Sequence, residues 1–176
     1  GASTPSRKAA YMSEDQNVIK GHVVAELRGP DGELIARHES ENLITSTGDQ
    51  MYASRGAGLV TSATPTGMKL GTGSTAPAKS GAGAAVVTYL TGSNKAFDAT
   101  FPTAVAGVVT YKRTYAAGEA TSASAITECV IVTDAIATDA ASSAANTASR
   151  VLLTGIPSKG AADSLTVTWT HTLLGA

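Results

Sequence analysis

The residues whose chemistry could support catalysis or metal binding are few and scattered. The three histidines, His22, His38 and His171, show no HxH or HExxH spacing, so they do not form the ligand patterns of a zinc site. The single cysteine, Cys129, has no second cysteine with which to form a disulfide or a metal-binding pair, and we expect it to pack as a small apolar side chain. The sequence therefore predicts neither a metal site nor a cofactor.

Two ionisable residues occupy positions where the alternation calls for apolar side chains. Glu128 shares the parity of nearby apolar residues, so its carboxylate needs a cationic partner, for which Arg113 and Arg150 are the candidates. His171 shares the parity of Trp169, and we expect its imidazole at the rim, where the strand leaves the core. A structural ion pair is the favoured interpretation of Glu128, and no set of nucleophile, base and orienting residue can be assembled. The sequence predicts a protein that is not an enzyme.

A glycine-rich run, Gly71-Thr72-Gly73-Ser74-Thr75, is similar to a phosphate-binding loop in composition only. It lacks the Lys-Ser or Lys-Thr ending of such loops, and no helical pattern begins after it. Residues 76–83 continue it as a low-complexity linker. We therefore expect an ordinary loop here.

Charge and hydropathy argue against two classes of partner. The 13 basic and 14 acidic residues leave a net charge of −1, and the tyrosines are not interleaved with Lys or Arg, so we expect no specific nucleic acid as a partner. No apolar run approaches the roughly 18–20 residues that a membrane-spanning helix needs, and the N-terminus lacks the apolar segment of a secretion signal. We expect no membrane association.

The elements that must position these residues are predicted to be mainly β-strands, most clearly in residues 163–174. Apolar residues and one histidine fall on one parity and threonines fall on the other, which is typical of a strand with one face toward a core. The first parity comprises Leu165, Val167, Trp169, His171 and Leu173. Because an aromatic side chain buries about 150–250 Å², we predict that the only tryptophan, Trp169, is the centre of the core.

Other segments have recognisable patterns. Residues 17–38 predict an antiparallel hairpin around the turn Gly29-Pro30-Asp31-Gly32. Residues 45–56 predict a short helix, with Ser46 and Asp49 as a capping pair and Gly56 in the left-handed position that ends it. Residues 134–149 carry almost nothing to bury and predict a long surface loop. Further strands are predicted at residues 66–70, 107–115, 125–133 and 150–154.

Seven or eight short strands separated by turns predict a mainly β fold, either an antiparallel sandwich or a barrel. We expect a single jelly-roll-like β-sandwich domain over residues 17–176, with one short helix and a core of small and branched side chains. Residues 1–16 are polar and predict an extended N-terminal arm. Two interpretations of this arm stay open, a loose terminus or expression remnant, and a segment that orders against a neighbouring subunit.

Several short segments resemble those of small structural proteins of tailed bacteriophages. In that family an N-terminal strand pair is followed by an Asn-Leu-Ile-Thr segment, a Gly-Thr-Gly loop and a C-terminal strand. The matching segments are Asn42-Leu43-Ile44-Thr45, Leu70-Gly71-Thr72-Gly73-Ser74-Thr75, Gly92-Ser93-Asn94-Lys95-Ala96-Phe97, Ala117-Gly118-Glu119-Ala120-Thr121, Ile126-Thr127-Glu128, and Lys159-Gly160-Ala161-Ala162-Asp163 with the strand after it. They are spread over residues 17–176, and the family includes head decoration proteins and components of tails and baseplates.

This resemblance implies a β-rich virion subunit without enzymatic activity. We expect a capsid decoration, or cement, protein on the capsid surface, which bridges major capsid subunits and stabilises the head. The implied partners are the major capsid protein or other virion proteins, and the implied assembly is a homotrimer. The candidate interface residues are Arg7, Lys8 and Tyr11 in the arm and Tyr111 and Tyr115 on one face of a strand.

Two alternatives stay open at this point. A tail, neck or baseplate component would be equally structural but present in fewer copies per virion. A carbohydrate-binding β-sandwich would need a cluster of exposed aromatic side chains, for which Tyr111 with Tyr115 is the sole candidate pair.

Overall fold

Short strands with apolar residues on one parity dominate the computed structural model, which describes residues 19–60 and 62–173. The fold is mainly β and antiparallel with one α-helix, α1 (Ser46–Gly56), as the sequence predicted. The strands are β1 (Lys20–Arg28), β2 (Leu34–Ile44), β3 (Gly67–Gly71), β4 (Lys95–Ala96), β5 (Thr103–Val105), β6 (Val108–Tyr115), β7 (Glu128–Val132), β8 (Thr147–Leu152) and β9 (Ser164–Thr172). The predicted arm, residues 1–16 with Arg7, Lys8 and Tyr11, lies outside the described residues, and its role stays a prediction.

The strands form one sheet in the order β4-β3-β7-β8-β2-β1-β9-β6-β5. Strand β9 pairs with both β1 and β6 along its whole length, so it is a central strand. Its inner face carries Trp169, which is completely buried, and its threonines lie on the half-exposed outer face. The prediction that Trp169 lies in the core is therefore confirmed.

The sheet curls so that its two halves face each other across the core. Strand β2 joins the halves, because it pairs with β1 over most of its length and with β8 only at Leu43 and Ile44. The hydroxyl of Tyr115 in one half donates to the carbonyl of Met68 in the other at 3.1 Å. The layers pack face to face as in a sandwich, but they belong to one continuous curled sheet.

Contacts after β4 bring the two ends of the sheet together. The backbone N–H of Asp98 donates to the carbonyl of Lys112 at 2.8 Å. The carboxylate of Asp98 accepts hydrogen bonds from the backbone N–H of Thr114 at 2.9 Å and from its hydroxyl at 2.7 Å. Strand β6 is thereby tied to the segment that follows the edge strand β4.

Helix α1 is confirmed, but its caps differ from those that the sequence predicted. The N-cap is Thr45, whose hydroxyl accepts from the N–H of Gly48 at 3.1 Å, rather than Ser46. Gly56 lies within the helix, and the left-handed conformation that follows it is adopted by Gly58, with φ of 70°. The helix therefore ends at the predicted residue, but the left-handed position falls two residues later than predicted, at Gly58, because Gly56 is still helical and Ala57 is the C-cap.

The predicted surface loop at residues 134–149 is shorter than expected. Strand β8 begins at Thr147, and its first residues, Thr147, Ala148 and Ser149, are fully buried. The small side chains at the start of β8 allow α1 and β7 to approach it closely, so these residues are buried despite their size. Among the described residues, no helix is long and apolar enough to cross a membrane.

Candidate protein-interaction surface

The carboxylate of Glu128 lies at the centre of a buried ionic cluster. Arg150 donates to it at 2.7 Å, and both side chains are fully buried, so Arg150 is the partner that the sequence left undecided between two arginines. Backbone N–H groups of Gly73, Val87 and Thr88 donate to the same carboxylate at 2.7–3.0 Å. Burial alone would raise the pKa of Glu128, but the Arg150 hydrogen bond and these N–H groups hold it below its ordinary value.

This cluster also explains the glycine-rich run at residues 71–75. A side chain at Gly71 or Gly73 would place its Cβ 2.5 Å from Glu128 Oε2, so both glycines are required by close approach to the carboxylate. The loop thus surrounds an anion supplied by the protein itself. The remaining candidate partner, Arg113, instead binds the carboxylate of Glu119 and the carbonyl of Ala96.

A second buried ionic pair holds the loop before β8. The ammonium of Lys69 is fully buried and donates to Asp134 at 2.6 Å and to the carbonyl of Ala140 at 2.7 Å. The side-chain amide of Asn94 donates to carbonyls of the same loop, at Ala135, Ile136 and Thr138. No sequence signal indicates this arrangement beyond the polar residues themselves, because the partners are more than 40 residues apart.

The prediction that His171 lies at the rim of the core is wrong. Its imidazole is fully buried, with Nδ1 2.6 Å from the Tyr52 hydroxyl and Nε2 2.9 Å from Ser149 Oγ. The Tyr52 hydroxyl in turn lies 2.9 Å from that of Tyr111. Burial lowers the pKa of His171 to about 3, so the ring is neutral and shares its hydrogen bonds within this network. Ser149 is fully buried as well, so the pair offers no exposed nucleophile.

The prediction that Tyr111 and Tyr115 form an exposed interface pair is also wrong. They share a face of β6, as expected, but it is the inner face, where the two side chains are 3% and 0% exposed. The Tyr115 hydroxyl donates to main-chain carbonyls, and Tyr111 joins the His171 network. Cys129 is likewise buried, and desolvation raises the pKa of its thiol.

The surface feature that the sequence did not reveal is an open backbone edge on β2. The N–H of Thr45 donates to the carbonyl of Ala148 at 3.1 Å, in the same register as the two β2–β8 pairs. Because alternate residues of a strand point their backbone groups to alternate sides, the odd-numbered residues of β2 face the β8 side. Beyond Leu43, strand β8 diverges, and the backbone groups at 35, 37, 39 and 41 have no partner within the described residues.

A groove of about 570 Å³ accompanies this open edge, between residues 38–43 of β2 and residues 150–154. At the other end of the edge, Leu34 and Ile35 are 49% and 48% exposed. Arg37 and Glu39 lie on the outer face of the strand and are joined by a salt bridge of 2.5 Å. The alternating charges of β2 were the available sequence signal, since charged side chains are common on edge strands.

The arrangement is suited to binding another protein chain. In the part of the chain that the structure describes, no cluster of His, Cys, Asp or Glu is placed to hold a metal ion. The ionisable groups with strongly shifted pKa values have intramolecular partners or are buried in the core. The open edge of β2 and the side chains of Leu34 and Ile35 face solvent. Comparison of the sequence with family models and curated proteins, and of the structure with solved structures, returns no match.

Proposed function

We propose that this chain is a non-enzymatic structural protein of a tailed-bacteriophage virion, and that it decorates the capsid by bridging major capsid subunits. The observation that carries the proposal is the open edge of β2 with the half-exposed side chains of Leu34 and Ile35, which suits strand or surface pairing with a neighbouring protein. The likeness of its short segments to phage structural proteins supports the virion setting.

The interior supports a role as a rigid bridging body. Buried charges need complete sets of partners, so the clusters around Glu128 and Lys69 fix the β3–β4 connection at two places and the β7–β8 loop at one. A rigid subunit loses little conformational entropy on binding, and modest contacts repeated over a lattice add up through simultaneous engagement. The net charge of −1 also limits repulsion between densely packed copies.

A tail, neck or baseplate location is the second candidate, because the open edge suits contacts with any virion protein. The carbohydrate-binding alternative loses the observation on which it depended, since Tyr111 and Tyr115 are buried.

The location is tested by separating the heads and tails of the phage that encodes the chain and measuring its copy number in each fraction. We expect the protein in the head fraction at a copy number comparable with that of the major capsid protein. Heads assembled without it should rupture at a lower temperature than complete heads. Adding the purified protein back should return the rupture temperature to that of complete heads.

Two results would argue against decoration. A few copies in the tail fraction would move the protein to the second candidate. Absence from purified particles, or heads of equal thermal resistance with and without it, would overturn the cementing role.

A further inference from the structure

We propose that two copies of this protein pair through β2, antiparallel and about a two-fold axis at His38. The inference rests on the proposed function in one respect, namely that the open edge of β2 is a contact surface. It goes further by naming a second copy of the chain as the partner. A two-fold contact makes a dimer, which differs from the trimer that the family resemblance implies.

The first argument is the supply of backbone groups that have no partner within residues 19–60 and 62–173. Residues 35, 37, 39 and 41 each present an N–H and a C=O toward the open side, spaced as in an antiparallel ladder. The stretch 34–42 contains no proline and no lysine, two of the devices that commonly protect exposed edges, although Arg37, Glu39 and Glu41 are charged. An edge of this length is suited to pairing with another strand in a register where these charges meet opposite charges.

The second argument is the length of the open edge. It ends on one side at Leu43, where β8 begins to pair, and on the other at Leu34, where the hairpin turn begins. His38 is the midpoint of this stretch. Pairing about His38 places Leu34 of each copy opposite Asn42 of the other, so residues 34–37 of each copy enter the groove between β2 and residues 150–154 of the other.

The third argument is charge. In this register Arg37 of each copy lies opposite Glu39 of the other, which gives two cross-strand pairs of opposite charge. The neighbouring registers with the same hydrogen-bonding parity would be centred on Arg37 or Glu39. The first would place two arginines opposite one another, and the second would place two glutamates opposite one another, although it would also bring Arg37 opposite Glu41. Both side chains are more than 40% exposed, so Arg37 is free to exchange its salt bridge with Glu39, and Glu39 its contacts with Arg37 and His22, for contacts with the partner.

The test is a charge exchange followed by mixing. The mass of the native protein is measured across a concentration series by sedimentation, and we expect a monomer–dimer equilibrium. At each pair, residue 37 of one copy lies opposite residue 39 of the other. Arg37→Glu therefore places two glutamates opposite each other, and Glu39→Arg places two arginines opposite each other. Each variant should raise the dimer dissociation constant by about tenfold or more. Mixing the two variants restores opposite charges at both pairs, so a heterodimer should form where neither variant dimerises alone.

Arg28→Glu is the matched control, because Arg28 forms a similar exposed salt bridge with Glu26 away from the open edge. It should leave the dissociation constant unchanged. A native protein that stays monomeric, single variants that dimerise as the native protein does, or a mixture without heterodimers would each overturn the pairing. A monomeric protein that still decorates heads would overturn the pairing alone, whereas a dimer with this charge pattern that is absent from virions would overturn the proposed function alone.

Discussion

Buried ionisable side chains determine how the loops of this protein are held. A buried charge left without partners is costly, so Glu128 requires Arg150 and backbone N–H groups from two stretches of the β3–β4 connection. Lys69 likewise requires the loop that contains Asp134. These residues therefore specify which loops meet, although replacing a buried ion pair by apolar residues is often neutral for stability.

His171 should make the protein sensitive to acid. Its pKa is about 3 in the folded state because of burial, whereas an unfolded chain has the ordinary value of about 6.5. Between these values the unfolded state binds the extra proton, so stability is complete above pH about 6.5 and falls by about 1.4 kcal/mol per pH unit on acidification. Urea unfolding at pH 7, 5.5 and 4 measures this dependence.

The variant His171→Asn removes the titrating group and should lose less stability on acidification than the native protein, although its stability at pH 7 is lower. Thr170→Asn, on the outer face of the same strand, is the control and should keep the native pH dependence. Equal pH dependence in the native protein and His171→Asn would contradict the assignment.

The role of a single residue was predictable where its charge showed what kind of partner it needed, as for the carboxylate of Glu128. His171 and Tyr111 were not, because parity shows which residues share a face but not what covers that face. Tyr52 of helix α1 covers the end of β9 and contacts His171. This contact buries His171, which the sequence pattern had predicted at the rim of the core. Such coverage depends on contacts between residues more than 100 positions apart.

At the scale of elements, the contact between α1 and β8 depends on one glycine. A Cβ on Gly48 would lie 2.1 Å from the carbonyl oxygen of Ala148 and 2.8 Å from Ile44 Cγ2. Gly48→Ala should therefore destabilise the protein by about 1–3 kcal/mol despite the better helix propensity of alanine. Chemical denaturation measures the change.

Gly56 provides the matched control within the same helix. Nothing lies within 4 Å of a Cβ built at this position, so Gly56→Ala should stabilise the protein by about 0.5–1 kcal/mol through helix propensity alone. If both variants changed stability in the same direction, close packing at Gly48 would not be the cause.

Elements with a long, regular period were predictable from sequence. One parity of β1, β6 and β9 is mainly apolar, interrupted by Arg113 in β6 and His171 in β9, and the structure places all three as strands. β4 and β5 are two and three residues long, too short to show a period. The start of β8 was missed because its alanine, serine and threonine residues are buried by close approach of neighbours rather than by their own size.

At the scale of the whole molecule, Asp98 ties the two ends of the curled sheet together. Its carboxylate accepts two hydrogen bonds from Thr114, so Asp98→Ala should cost about 1–3 kcal/mol of stability. Asp31→Ala in the exposed hairpin turn is the control and should change stability by less than about 0.5 kcal/mol. Equal changes in stability for Asp98→Ala and Asp31→Ala would mean that the hydrogen bonds of Asp98 do not stabilise the folded protein.

The mainly β, antiparallel class was predictable from the sequence, but the order of the strands was not. That order depends on which strand edges meet, and β2 leaves β8 after two pairs. The open edge, on which the proposed contacts depend, follows from this divergence. Within residues 34–42 its local sign is the alternation of charges.

The pairing of β1 with β9 has a consequence for synthesis on the ribosome. Residues 20–28 of β1 leave the exit tunnel long before residues 164–172 of β9, so one edge of β1 has no partner strand until β9 is synthesised. At a translation rate of about 5–20 residues per second, the nascent chain carries that edge unprotected for roughly 7–30 s. Chaperone capture of the nascent hairpin, and slow completion of the sheet after release, are the expected results of this long-range topology.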